Sequence, residues 1–271
     1  MASEEERALP WRFLKMFRLM FSRRWWWTTV LVLVGIGLTI RLGFWQVGRY
    51  RQNKAFADHL TAMQAATTLV LAGGTQPGGL AGMEYRSVQA TGTFDFAHQI
   101  AVRNQIWVQS WGNETGYILV APLELPDGSA VLVDRGWIPL EYDTPASWRQ
   151  FDQSGMVSVT GILRLPARPE MGGVPDPPLG GGQTSMDFWN LININRLQEQ
   201  IPYSILPVYI QQAPDPAYTG MPYRALSEPE LSAAGNNAGY ATMWFAFTAL
   251  LIGGYPVYLR KQTIETTILK P

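Results

Sequence analysis

Hydrophobic and polar positions divide the chain into three textures. Residues 25–40 carry no charged side chain, and the apolar run continues to Val47 with one interruption, Arg41. As a helix rising about 1.5 Å per residue, residues 25–47 reach roughly 35 Å, enough for a hydrocarbon core of about 30 Å. Arg23 and Arg24 precede Trp25, Trp26 and Trp27 at one end, while Phe44 and Trp45 stand before Arg49 and Arg51 at the other. Those are the aromatic and basic belts of two membrane interfaces, so the pattern predicts a spanning helix. Arg41 lies within about two turns of the far interface, where it can snorkel or meet a carboxylate. A second uncharged run, residues 238–259, reaches about 33 Å and is followed by Arg260 and Lys261. The length of the first run, and bulky Phe44-Trp45-Gln46 where a leader would have small residues, predict an uncleaved anchor.

Between these runs the texture changes twice. After Arg49 a polar helical pattern runs to about Ala66, and the Gly- and Pro-rich residues 73–79 read as a loop. Short alternating or apolar runs then predict strands at residues 85–93, 98–108, 116–122, 130–137 and 157–163, with a sixth around 208–211. Pro126-Asp127-Gly128 makes the third and fourth a hairpin. Residues 166–184 are too rich in Pro and Gly for anything but a long loop, and 190–200 read as a short helix.

The expected architecture is therefore an α+β membrane protein, with two transmembrane helices flanking a mainly antiparallel β domain that carries short helices. Its parts are a basic amphipathic segment (1–24), a span (25–47), the β domain (48–237), a second span (238–259) and a tail (260–271). Charge sets the expected orientation. Residues 48–237 hold 11 Lys+Arg against 17 Asp+Glu, whereas residues 1–24 and 260–271 together hold 9 against 4. The positive-inside rule then predicts both termini in the cytoplasm and an extracytoplasmic domain, with a bacterial plasma membrane as host. Trp11, Phe13, Leu14 and Phe17 among the early bases suit an interfacial helix on the lipid bilayer, and the acidic residues Glu4 to Glu6 argue against a mitochondrial presequence.

The chain contains no Cys and two His, His59 and His98. That composition excludes thiolate metal sites, cysteine nucleophiles and a histidine metal cluster. No G-x-S-x-G, H-E-x-x-H or P-loop pattern occurs either, so no catalytic residues are assigned and a non-enzymatic role is expected. No nucleic-acid partner is expected.

Four segments carry a resemblance: Gly43-Phe44-Trp45-Gln46-Val47-Gly48-Arg49; Gly116-Tyr117 leading to Pro122; Val131-Leu132-Val133-Asp134-Arg135-Gly136-Trp137-Ile138-Pro139; and Tyr240-Ala241-Thr242-Met243-Trp244-Phe245. In this order and between two spans, they resemble the Surfeit locus protein 1 family over residues 25–259. Members of that family are cytochrome c oxidase assembly factors. The resemblance implies support for haem a insertion or for maturation of subunit I of an aa3-type oxidase. Its expected partners are subunit I and other oxidase subunits or assembly factors, and its expected cofactor is a transiently held haem a.

Haem-adjacent residues under that resemblance are Arg41, Trp45, His59, Asn237, Tyr240 and Trp244. Aromatic side chains would form walls and Arg41 would meet a propionate. Asn237 stands where haem-binding relatives often place a histidine, three residues before Tyr240. Partner-binding candidates are Trp45, Gln46, Arg49, Arg135 and Trp137. For the last two, one reading pairs Arg135 with Asp134 or another carboxylate and packs Trp137 on the sheet. The other makes them a partner-binding hot spot. Two alternative functions stay open: a stable accessory subunit of a terminal oxidase or respiratory supercomplex that does not handle haem, and a membrane-anchored extracytoplasmic sensor or enzyme.

Overall fold

Two long apolar helices dominate the ends of the chain. The computed structural model describes residues 18–72, 77–109, 112–166, 174, 176–177, 185–227 and 234–268, so most of the amphipathic segment and most of the 166–184 loop lie outside the described residues. Helix α1 is Trp26–Ala65, one continuous rod of 40 residues that joins the first apolar run to the polar pattern after Arg49. Helix α5 is Ala234–Ile268 and includes Pro256. Both are long and apolar enough to cross a membrane, and only 11% of each apolar window is buried. A soluble core helix would be mostly covered, and these are not.

The chain divides into two compact units: residues 1–58 with 230–271, and residues 59–229. In the first, α1 and α5 pack antiparallel. Thr39 Oγ1 lies 2.8 Å from Thr248 Oγ1, and Tyr255 OH lies 2.6 Å from Thr29 Oγ1. Gly43 is buried, and a Cβ there would fall 2.8 Å from the Phe245 ring. Gly35, Thr39 and Gly43 repeat every four residues, the small-residue spacing that lets two helices approach closely in lipid.

The second unit is built on an eight-stranded sheet among the described residues. Its strands are β1 (Leu69–Leu71), β2 (Ser87–Phe94), β3 (Ile100–Gln109), β4 (Gly112–Glu124), β5 (Ala130–Pro139), β6 (Met156–Arg164), β7 (Phe188–Trp189) and β8 (Ile205–Gln212). Three single-turn helices join them: α2 (Pro77–Leu80), α3 (Pro145–Trp148) and α4 (Ile194–Leu197). The six predicted strands all form, and β4–β5 is antiparallel as the Pro-Asp-Gly turn requires. The sheet is mixed, however. β1–β2, β3–β7 and β5–β8 are parallel, while the other five pairings are antiparallel, so the domain is mainly antiparallel as expected but with a parallel minority. Parallel pairing needs long crossovers, and these join segments far apart in sequence.

Besides its neighbour β6, strand β2 pairs with β4 through Thr93↔Glu124 and Phe94↔Leu123. That contact closes β2, β4, β5, β8 and β6 into a ring. Counted within the ring, the strands run first, second, third, fifth, fourth and back to first, with third and fifth parallel. This is the connectivity of an OB-type Greek-key barrel. Gly92 makes the closure possible, because a Cβ there would lie 2.1 Å from the Glu124 carbonyl oxygen.

Side chains from all five ring strands fill the interior: among them Val88, Leu123, Val133, Val159 and Ile210. Outside the ring a second cluster covers β4 and β5, where Val120 and Leu132 meet Ile100, Trp189, Ile194 and Leu197 from β3, β7 and α4. Strand β5 is therefore buried on both faces. In OB barrels the outer face of the second and third strands is the usual ligand platform. Here the chain's own insertions occupy it.

Candidate functional site

The helical unit carries most of the residues that the sequence singles out. Arg41, Trp45 and Arg49 recur every four residues on α1, so they share one face, and all three are exposed. Gln46 is half-buried, and its amide oxygen is enclosed without a hydrogen-bond partner among the described residues. On α5, Asn237 and Trp244 are half-buried and Tyr240 is exposed, with Trp244 edge-to-face on Phe247 at 6.0 Å. His59 is half-buried and belongs to the second unit. No hydrogen bond or ring contact joins any two of the six haem-adjacent residues among the described residues.

The donor set there lacks the ligands that most often hold haem iron. Aromatic walls and cations are present, yet the helical unit contains neither His nor Cys, and the amide of Asn237 is a poor ligand for iron.

In the β unit, the strand segment Val131 to Pro139 does several jobs through its two-residue alternation. Val131 and Val133 enter the barrel interior, and Leu132 faces the outer cluster. Asp134 and Arg135 must then point to opposite faces, so they cannot pair with each other. Arg135 is 3% exposed. Its guanidinium donates to Gln99 Oε1 and to the Phe151 carbonyl, and it lies over the rings of Phe94 and Phe96 at 5.2 and 4.6 Å. Burial pulls its pKa down to about 10, so it stays charged at neutral pH.

Trp137, 2% exposed, donates its indole N–H to the Gln105 carbonyl at 3.1 Å. Arg135 is enclosed by protein and not available to a partner in this structure, whereas Trp137 is covered by its neighbours but lines a small cavity. Arg135 is thus not the exposed half of a hot spot, and its expected pairing with Asp134 is corrected.

Gly136 adopts φ +124°, and a Cβ there would meet the Tyr223 carbonyl oxygen at 2.6 Å. That close approach lets residue 223 bridge to Trp137, with backbone bonds of 2.8 Å in both directions. Asp134 accepts the Gly136 N–H at 3.0 Å. Burial pushes its pKa up to about 7, while that N–H and the charge of Arg164 oppose the rise. A cavity of about 180 Å³ adjoins it, lined by Gln105, Trp107, Trp137, Gln211 and Tyr223 among others.

His98 has a structural partner. Its Nδ1 lies 2.5 Å from Asp95 Oδ2, the same oxygen that accepts the Tyr203 hydroxyl at 2.6 Å. Burial would raise Asp95, but the hydrogen bonds from Tyr203 and His98 outweigh it and hold the carboxyl below its ordinary range.

Sequence reasoning passed over two features. Thr39 meets Thr248 where the two helices touch, and the four-residue repeat from Gly35 to Gly43 was the available signal. Asp134 borders a cavity, and an acidic residue inside the apolar run Val131-Leu132-Val133 marked it.

Taken together, these features define a class: an OB-type β barrel carried in sequence between two candidate membrane-spanning helices. The model of the SURF1 family matches residues 33–249, from within α1 to within α5, and the chain belongs to that family. All four motif segments fall inside the match. The SURF1-like protein of Monosiga brevicollis is 26% identical over 83% of this chain and 84% of its own length. Surfeit locus protein 1 of Takifugu rubripes is 28% identical over 47% of this chain, and the match spans 57% of that protein. The SURF1-like protein of Rickettsia conorii is 30% identical over 41% of this chain and 43% of its own length.

Proposed function

We propose that this protein is a non-enzymatic assembly factor for an aa3-type cytochrome c oxidase, supporting maturation of subunit I. The observation that carries the reading is the family match, which runs from one candidate span to the other across the whole barrel. In this reading the chain is a two-span protein of a bacterial plasma membrane, with both termini cytoplasmic and the barrel extracytoplasmic. Arg23, Arg24, Arg260 and Lys261 at the cytoplasmic ends of the spans support that orientation. The exposed face of Arg41, Trp45 and Arg49 would meet oxidase subunits. Neither His nor Cys stands in the helical unit, so this reading does not require the chain to ligate haem a.

A second reading draws support from Asn237. An amide where the resemblance led to the expectation of a histidine suits a stable accessory subunit that never handles haem. One experiment separates the two. Deleting the gene should strongly reduce assembled oxidase, measured by its haem a absorbance in isolated membranes. Unchanged absorbance would sink the assembly role, and co-purification with mature oxidase in equal amounts would favour the accessory subunit. Protease added to spheroplasts should digest the barrel, whereas protection would reverse the orientation.

A further inference from the structure

Asp134 is the one carboxylate buried among the described residues. Its single hydrogen bond there comes from the Gly136 N–H, and it makes no ion pair with any described residue. The nearest counter-charge, Arg164, acts on it without an ion pair: its guanidinium lies 3.6 Å from Glu84, 3.5 Å from Gln211 Oε1 and 4.8 Å over the Tyr85 ring. A buried carboxylate without a cation is costly unless something supplies one.

The cavity beside it has the shape and walls to admit a flat cation. The rings of Trp107, Trp137 and Tyr223 lie 5.8 to 6.3 Å apart and within 20 to 27° of parallel, so a planar group meets one common orientation. At about 180 Å³ the space suits a head group rather than a whole cofactor. Ile106 and Leu226 also line the cavity and are 61% and 37% exposed, which gives it an apolar rim. A carboxylate, parallel aromatic faces and an apolar rim match three parts of one side chain. The guanidinium fork bonds the carboxylate, its plane stacks on the rings, and the methylene stem covers the rim. A metal ion would need more oxygen donors than one carboxylate.

We infer that this cavity receives the arginine side chain of a partner protein, with Asp134 as its counter-charge. The inference stands apart from the oxidase reading and would survive its failure.

The test uses the full chain in detergent and follows the indole N–H resonances of Trp107 and Trp137 by NMR. Methylguanidinium should shift both saturably, at least tenfold more tightly than methylurea, its neutral isostere. N-acetyl-arginine-N-methylamide should bind more tightly still. Asp134→Asn should weaken methylguanidinium at least tenfold. Should that variant fail to fold, the comparison of cation with neutral isostere on the unmodified chain still decides. Equal response to both probes, or none, overturns the site. Equal binding of methylguanidinium and the blocked arginine overturns the protein source and leaves a free small cation.

Discussion

The helix pair and the barrel bury opposite kinds of side chain. Where α1 meets α5, the covered residues include Thr29, Thr39, Gly43, Ala241 and Thr248, while Leu31, Val34 and Leu250 stand outward at 65 to 73% exposure. In the barrel the interior is Val, Leu and Ile, and buried Gln99, Asp134, Arg135 and Gln211 are held by specific bonds. Apolar surface turned outward and polar surface turned inward is the arrangement for a lipid solvent. The barrel has the arrangement for water. A buried polar group should therefore matter greatly in the barrel and little between the helices.

The harshest way to break the barrel side of this contrast is to block its closure. Gly92→Val places side-chain atoms against the Glu124 carbonyl, so β2 cannot reach β4. We expect a loss of about 5 kcal/mol or more, seen as the disappearance of cooperative thermal unfolding by near-UV circular dichroism. Retention of a sharp transition would mean that the ring is not what holds the unit together.

Asp134 gives the next largest effect, and its sign is opposite. Its folded-state pKa, near 7, is above that of an unfolded carboxyl. The stability linked to its protonation is thus fully present below the ordinary carboxylate range and is lost as pH rises through about 7. The groups that face it are Arg164, which favours the charged form, and Tyr209, whose own pKa is pushed up to about 12 by burial and then by Asp134. Asp134→Asn keeps an acceptor for Gly136 and removes the charge. The variant should exceed the parent in stability at pH 8 by an amount on the order of 4 kcal/mol, a gap that shrinks steadily toward pH 4. Denaturant titrations across that range measure it, and a pH-independent gap would rule out the titration.

Arg135→Lys is milder. Lysine keeps the charge but cannot span Gln99 Oε1 and the Phe151 carbonyl from one rigid fork. One buried acceptor is then left without its donor, at a cost of about 2 kcal/mol. A shift in denaturant midpoint at constant slope is the expected signature, and no shift would make those two bonds dispensable.

These sites also show what the chain made legible and what it hid. The two long apolar helices, the six longer strands and the β4–β5 turn were readable because each rests on local pattern: hydropathy, alternation, and Gly128 at φ +83° after Asp127. Strands β1 and β7 are three and two residues long, too short for alternation to register. Ring closure depends on two residue pairs between β2 and β4, and the parallel β5–β8 pairing on partners about 75 residues apart; neither leaves a local trace. The segment around Asp134 was visible as a motif, but alternation alone does not say which face meets a cavity. On α1 the reverse happened. Hydropathy identified the long apolar helix so readily that the four-residue spacing of Gly35, Thr39 and Gly43 within it went unread.

The smallest effect belongs to the Thr39–Thr248 contact, and there the contrast can be sharpened most finely. Thr39 Oγ1 lies 3.0 Å from the Ile36 carbonyl, Thr248 Oγ1 lies 3.0 Å from the Trp244 carbonyl, and the two hydroxyls are 2.8 Å apart. Two hydroxyl protons cannot serve three hydrogen bonds at once. Whenever one threonine donates across the interface, it gives up the carbonyl of its own helix, so separating the helices returns a bond for the one it removes. Thr39→Val, Thr248→Val and the double variant, unfolded in bicelles, should therefore give a coupling near 0.6 kcal/mol, the usual size for such bonds in lipid. The neighbouring Gly43→Val should cost more, because its Cβ would be driven into the Phe245 ring. A threonine coupling of 3 kcal/mol, as large as a buried bond to charge in the barrel, would mean that close packing is not what joins the two helices and would erase the contrast between the two regions.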